Sequence, residues 1–253
     1  MPDEFLCGTT TVVGNGGDVI EAYAATPVAP TGAGGVVVIH HMPGFDEATK
    51  EIVRRFASWG YAAVAPNLHH RDAPGAASDD AAAANRAAGG VSDEQLLGDV
   101  SGAVDHLRAV SGSNGTVGTI GFCSGGRQSL LAGTGLPVDA VVDCYGAFVL
   151  ADPPAEMNRP SMTIRDRLSS LTAPVLGLFG AEDSYPSPAE VAELDAILTA
   201  QGTEHTFVSY DGAGHAFFAV DRPAYRVAAA VDGWQRIADF YHEHLGQPQG
   251  WGR

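Results

Sequence analysis

Cysteine, positive charge and long apolar runs are all scarce in this sequence. Three cysteines, Cys7, Cys123 and Cys144, are spread over 253 residues. An odd and sparse set builds no disulfide framework, so a reducing compartment, the cytoplasm, is expected. Lysine and arginine number 14 against 30 Asp and Glu, a net charge of −16. Such a chain repels phosphate backbones and anionic headgroups, which argues against nucleic acid and membrane surfaces as partners. No stretch approaches the roughly 18 apolar residues of a membrane span. The opening "MPDEFLCGTT" has neither the basic nor the apolar region of a secretion signal. Histidines at 40–41, 69–70 and in "HEH" at 242–244 invite a metal. Adjacent strand histidines diverge, however, and no Cys or carboxylate spacing completes a ligand set, so no metal and no cofactor is expected.

The apolar fraction is 45% and the charged fraction 17%, an ordinary globular balance. Strand and helix patterns alternate, which predicts a mostly parallel sheet covered by helices. "GGVVVIHH" (34–41) reads as a fully buried strand, followed by a helix over 46–60 that stops at Gly60. Strands follow at 61–66, 115–122, 138–146, 173–180 and 205–210. Helices are predicted at 92–110 with Ser92 as N-cap, at 125–133, at 188–202 and at 224–245. The N-terminal "TTTVVG" and "VIEAYAA" read as a hairpin turning at "NGGD". No repeat or linker divides the chain, so residues 1–253 are read as one domain. Two segments resist assignment, an Ala/Asp/Gly-rich one at 72–93 and a Pro-punctuated one at 148–170, and both are expected to be loops or lids.

The residues that carry chemistry begin with "GFCSG". Cys123 follows a strand and precedes a helix, flanked two residues away by Gly121 and Gly125. That is the spacing of a nucleophile elbow, in which a sharp turn lifts the side chain above the sheet edge. The following helix N-terminus favours a thiolate, and the Ser124 N–H points at a developing oxyanion. The competing reading is a small buried cysteine beside glycines that permit close packing. A thiol nucleophile needs a base, and the base an orienting group. "FGAEDSYP" places Asp183 just beyond a later strand, with Glu182 as a rival, and "YDGAGHAFF" places His215 beyond the next. Nucleophile, acid and histidine then follow in α/β-hydrolase order along one sheet edge.

With these residues assembled, the chain resembles the dienelactone hydrolase family, a cysteine-nucleophile branch of the α/β-hydrolases. The likeness runs from about residue 15 to 245 and rests on "GFCSGG", "FGAED", "YDGAGHAF" and "GYAAVAPNLHHRDAPG". It implies an α/β-hydrolase fold with helices on both faces of the sheet. It also implies a Cys123–His215–Asp183 triad cleaving a small ester or lactone through a thioester. The second oxyanion N–H would come from Met42, Arg71 would bind a substrate carboxylate, and Tyr145 would line the pocket. The implied partner is thus a small-molecule substrate, with the chain a monomer or a homodimer. The sequence departs from the dienelactone-cleaving members at three places. His41 stands for a glutamate that meets the resting thiol, and Ala216 and Ala219 stand for a serine and an arginine. These departures imply a substrate other than dienelactone. His41 is expected either to face Cys123 or the substrate, or simply to pack at a strand end. The rival to an enzyme is a binding protein that keeps this fold without turnover; the intact Cys/Asp/His set argues against it.

Overall fold

The computed structural model describes residues 4–157 and 162–249. They are organised by one eight-stranded sheet: β1 (Phe5–Val13), β2 (Val19–Pro27), β3 (Gly35–Ile39), β4 (Ala62–Pro66), β5 (Val117–Phe122), β6 (Ala140–Cys144), β7 (Val175–Gly180) and β8 (His205–Tyr210). The spatial order is β1-β2-β4-β3-β5-β6-β7-β8. β1 and β2 form the expected hairpin and pair antiparallel, β2 also pairs antiparallel with β4, and every other pair is parallel. The helices are α1 (Glu47–Trp59), α2 (Ser78–Ala87), α3 (Asp93–Arg108), α4 (Ser124–Gly135), α5 (Pro188–Gln201) and α6 (Val227–Leu245).

β3 shows why this sheet is sandwiched. Val36 and Val38 join a cluster with Phe56 of α1 and Tyr241 of α6. Val37 and Ile39 join a second cluster with Leu96 and Val100 of α3, Leu130 of α4 and Leu194 of α5. Alternate side chains therefore bury on opposite faces, each worth about 1.5–3 kcal/mol, and an unbroken β-branched run is what such a strand requires. The helix starts follow from local chemistry. Asp46 accepts the Thr49 N–H, Ser92 the Gln95 N–H and Ser187 the Glu190 N–H, satisfying donors that a helix cannot pair internally.

Both unassigned segments are built differently from the expectation. Residues 72–93 contain α2, whose buried face is Ala81, Ala82 and Asn85, with the Asn85 amide donating to Asp72 at 2.7 Å. Alanine makes a good helix but a weak hydrophobic signal, so the helix is hidden in the pattern. In 148–170, Val149, Leu150, Ile164 and Leu168 are buried in the core beside α4. That part is a packed connection rather than a loose lid; residues 158–161 of the segment lie outside the described residues.

Candidate active site

Six parallel strands, β3–β8, present their carboxyl ends at one edge, and the chemistry gathers there. Cys123 sits between β5 and α4 at φ 57°, ψ −122°, backbone angles that cost an L-residue energy. A β-carbon on Gly121 would run into the carbonyl of Gly125, and one on Gly125 into the carbonyl of Ile39. Only glycine lets strand and helix meet so tightly. The Cys123 N–H donates to the Cys144 carbonyl at 3.0 Å, which anchors the bend to β6. Ser124 opens α4, in the turn whose N–H groups have no intrahelical acceptor.

Asp183 follows β7 and His215 follows β8. His215 Nδ1–H donates to Asp183 Oδ2 at 2.8 Å, while Asp183 Oδ1 accepts the Tyr185 N–H at 2.9 Å. Asp183 is buried and Glu182 exposed, so the geometry distinguishes the two carboxylates. Burial alone would push the His215 pKa down. The hydrogen bonds to Asp183 and to Cys123, together with their negative charge, overcome it and raise the imidazole to about 10.

Among the described residues, four that are not glycine have positive φ: Cys123, Tyr145, Phe148 and Ala216. All four surround this site. Strained backbone held in place by surrounding packing is concentrated where function needs fixed geometry. The Tyr145 ring meets His215 at 5.2 Å between centroids and Phe217 at the same distance. It is almost fully buried and lines neither cavity beside the thiol. The structure therefore corrects the pocket-lining expectation for Tyr145: it backs the imidazole.

Two cavities flank the elbow and share Met42, Ser124 and Met162. The smaller, about 370 Å³, is lined by Cys123, His215, Phe148 and Tyr185. The larger, about 620 Å³, is lined by His40, His41, His69, Arg86, Arg127 and Gln128 among others. His41 is thus at the larger cavity, which Cys123 does not line, and its Nε2 lies 3.4 Å from Asp46 Oδ2. Burial, with the Arg222 charge, lowers its pKa against the pull of Asp46 and Asp221. Its neighbour His40 is fully buried and held to about 3, mainly by desolvation, so its ring is neutral. The Leu68 N–H donates to His40 Nε2 at 3.1 Å, and Nδ1–H then donates to the His41 carbonyl at 3.0 Å. His40 ties the loop after β3 to the loop after β4.

Arg71 is placed away from both cavities, which corrects its expected role as a carboxylate clamp. Its guanidinium bonds both oxygens of buried Asp99 at 2.9 Å and Asp18 at 2.8 Å, with a further bond to the Asn15 carbonyl. Four of its five N–H donors are engaged in this way, which staples α3 to the N-terminal hairpin and holds the guanidinium there. The cations at the cavity are Arg86, with no ion-pair partner among the described residues, and Arg127. Arg127 Nε donates to the Met162 carbonyl at 2.6 Å and Nη2 to Asp93 at 2.9 Å. Neither was singled out above. The signal for Arg86 was there: it is the sole basic residue in 73–93. Nothing local in "GGRQ" tells which way Arg127 points.

Below the elbow, Asp143 on β6 is fully buried. Its Oδ1 accepts the Gly146 N–H at 2.7 Å, and Oδ2 has no partner among the described residues. Burial pushes its pKa up to about 7, helped by the charge of Glu190 and opposed by the Gly146 N–H. An unfolded aspartate titrates near 3.9. Between about pH 4 and 7 the folded protein therefore keeps a proton that the unfolded chain gives up, and stability falls as pH rises through that window. Asp143→Asn removes this loss. The melting temperature of the variant should match wild type near pH 4 and exceed it by about 8 °C at pH 8, corresponding to a gain of order 4 kcal/mol. An equal difference at both pH values overturns the assignment.

A model of the dienelactone hydrolase family matches residues 20–245. The chain belongs to the dienelactone hydrolase family. It is 34% identical to a "Putative carboxymethylenebutenolidase" of Salmonella typhimurium, over 97% of this chain and 91% of that one. It is 27% identical to a "Probable 2-oxo-3-(5-oxofuran-2-ylidene)propanoate lactonase" of Bradyrhizobium sp., over 97% and 98% of the two chains. A crystal structure described as a "Putative Dienelactone Hydrolase" from Klebsiella pneumoniae subsp. pneumoniae superposes with a TM-score of 0.83 at 28% identity, covering 95% of this chain and 100% of that one. This dienelactone hydrolase family member is an ester or lactone hydrolase with the α/β-hydrolase fold. None of its described helices is long and apolar enough to cross a membrane.

Proposed function

We propose that the protein hydrolyses a small ester or lactone through a Cys123–His215–Asp183 triad and a thioester intermediate. The observation that carries this reading is His215 held between Asp183 and Cys123, with Cys123 at the tip of a strained elbow. Cys123 Sγ attacks the carbonyl carbon as its proton passes to His215 Nε2. Asp183 accepts from Nδ1–H, fixing the tautomer and stabilising the imidazolium. The N–H groups of Ser124 and Met42 receive the oxyanion, an interaction worth roughly 10²–10³ in rate per donor. His215 then returns its proton to the departing oxygen, leaving the acyl group on sulfur.

Acylation changes the base. Part of what raises His215 is its hydrogen bond to Cys123 and the charge there. A thioester sulfur carries no charge, so the His215 pKa falls as the intermediate forms. An imidazole released in this way is better matched to deprotonating water near neutral pH. Water attacks the thioester, and the acid leaves with Cys123 restored.

Arg86 at the larger cavity gives an otherwise acidic protein a place for an anionic substrate group. The three unpaired cysteines, one of them the nucleophile, suit a reducing compartment such as the cytoplasm. The test is rapid mixing with p-nitrophenyl acetate followed by intact-mass measurement. A burst approaching one equivalent of nitrophenol and an acetyl adduct mapped to Cys123 are expected. An adduct at any other residue, or steady turnover that is unaffected by Cys123→Ala, refutes the thioester route.

A further inference from the structure

The two cavities differ in chemistry, and the triad reading makes the difference directional. His215 has to deliver a proton to the leaving oxygen, so the alcohol half of the ester must lie within its hydrogen-bond reach. Only the smaller cavity is lined by His215 and Cys123. The larger adjoins it through the shared Met42 and Ser124 but is lined by neither His215 nor Cys123, which leaves it for the acyl chain.

The smaller cavity suits an apolar alcohol. Phe148 and Tyr185 face one another at 5.3 Å between centroids and both remain partly exposed to it. Phe148 is held there at φ 65°, an uncommon backbone conformation for an aromatic residue. Among the ionisable groups on its wall, Asp183 is bonded to His215, and exposed Glu182 repels a negatively charged alcohol. The larger cavity is the opposite. Arg86 lines it with no ion-pair partner among the described residues. Asp93 is paired with Arg127, and Gln128 Oε1 is buried with no hydrogen-bond partner among them. An unpaired amide and a cation call for oxygen-rich groups on the ligand.

We propose, resting on the triad reading, that the site takes open-chain esters in one orientation. An aromatic or other apolar alcohol leaves from the Phe148–Tyr185 cavity, and a polar, anionic acyl chain occupies the Arg86–Gln128 cavity. A lactone ring, whose alcohol and acyl halves are tethered, fills neither cavity fully.

A pair of isomeric esters tests the orientation. Benzyl hydrogen succinate carries the carboxylate on its acyl half and the ring on its alcohol. 3-(Phenylacetoxy)propanoate is the same atoms with the ester reversed, and its alkoxide is of comparable basicity. Product release is followed by chromatography, with p-nitrophenyl acetate and the Cys123→Ala variant alongside. Wild type should favour benzyl hydrogen succinate by about tenfold or more in kcat/KM, the range that one apolar pocket contact supplies. Tyr185→Ala, at a residue 39% exposed and therefore tolerant of change, should raise KM for the benzyl ester and narrow the ratio to about threefold. Equal rates, a preference for the reversed ester, or turnover of p-nitrophenyl acetate with neither isomeric ester accepted overturns the orientation and leaves the thiol chemistry standing. Absence of thiol-dependent turnover on all three esters overturns the triad reading itself, and this assignment with it.

Discussion

Cys123→Ala is expected to lower kcat/KM for any ester substrate by at least about 10³-fold, some 4 kcal/mol of transition-state stabilisation. On the proposed triad reading the variant loses the nucleophile but keeps the oxyanion donors, so a residue of catalysis over water remains. Its fold should be intact. Cys123 is partly exposed, and alanine meets the same φ of 57° at the same cost. A second readout separates loss of chemistry from loss of structure. His215 stands at about 10 in part because of Cys123. Its ring-proton titration, followed by NMR, should move to lower pH in the variant while the melting temperature holds. Activity within tenfold of wild type, or an unmoved His215 titration, refutes the arrangement.

The second large effect is structural. Gly121→Ala should lower the melting temperature by about 10 °C or more, or prevent recovery of folded protein, because the added β-carbon meets the Gly125 carbonyl and the Gly126 nitrogen. Both obstacles are backbone, so no rotamer change relieves them, and α4 would have to lift off β5. Gly8→Ala is the control. It lies on the edge strand β1 with nothing within 4 Å of the new carbon, and its cost should stay under about 1 kcal/mol. Thermal denaturation of the two variants beside wild type decides the matter. A Gly121→Ala protein melting within 2 °C of wild type means that the elbow is not as close as described.

The elements that the sequence revealed share a physical cause. Buried parallel strands must be apolar on both faces, so β3, β4 and β7 read directly as short runs, and the side chains that cap α1, α3 and α5 are local. Cys123, Asp183 and His215 were legible for the same reason: each lies immediately after a strand, and strand ends of a parallel sheet share an edge. α2 escaped because its buried face is mostly alanine. Arg71 and Tyr145 were misplaced because sequence position says where a residue begins, not where six or seven bonds of side chain end. Arg71 found Asp99, 28 residues on, and Tyr145 found His215, 70 residues on.

The sequence by itself therefore determined the α/β alternation, the glycine-framed thiol and the order of its partners, all matters of local spacing. Tertiary structure alone decided the rest. It put Asp183 rather than Glu182 against His215, paired His41 with Asp46, tied Arg71 to Asp99 and opened a polar cavity beside an apolar one. Those outcomes depend on which charges and surfaces meet across long chain separations, where burial and Coulomb energy are set by distance in space and leave no periodic trace along the chain.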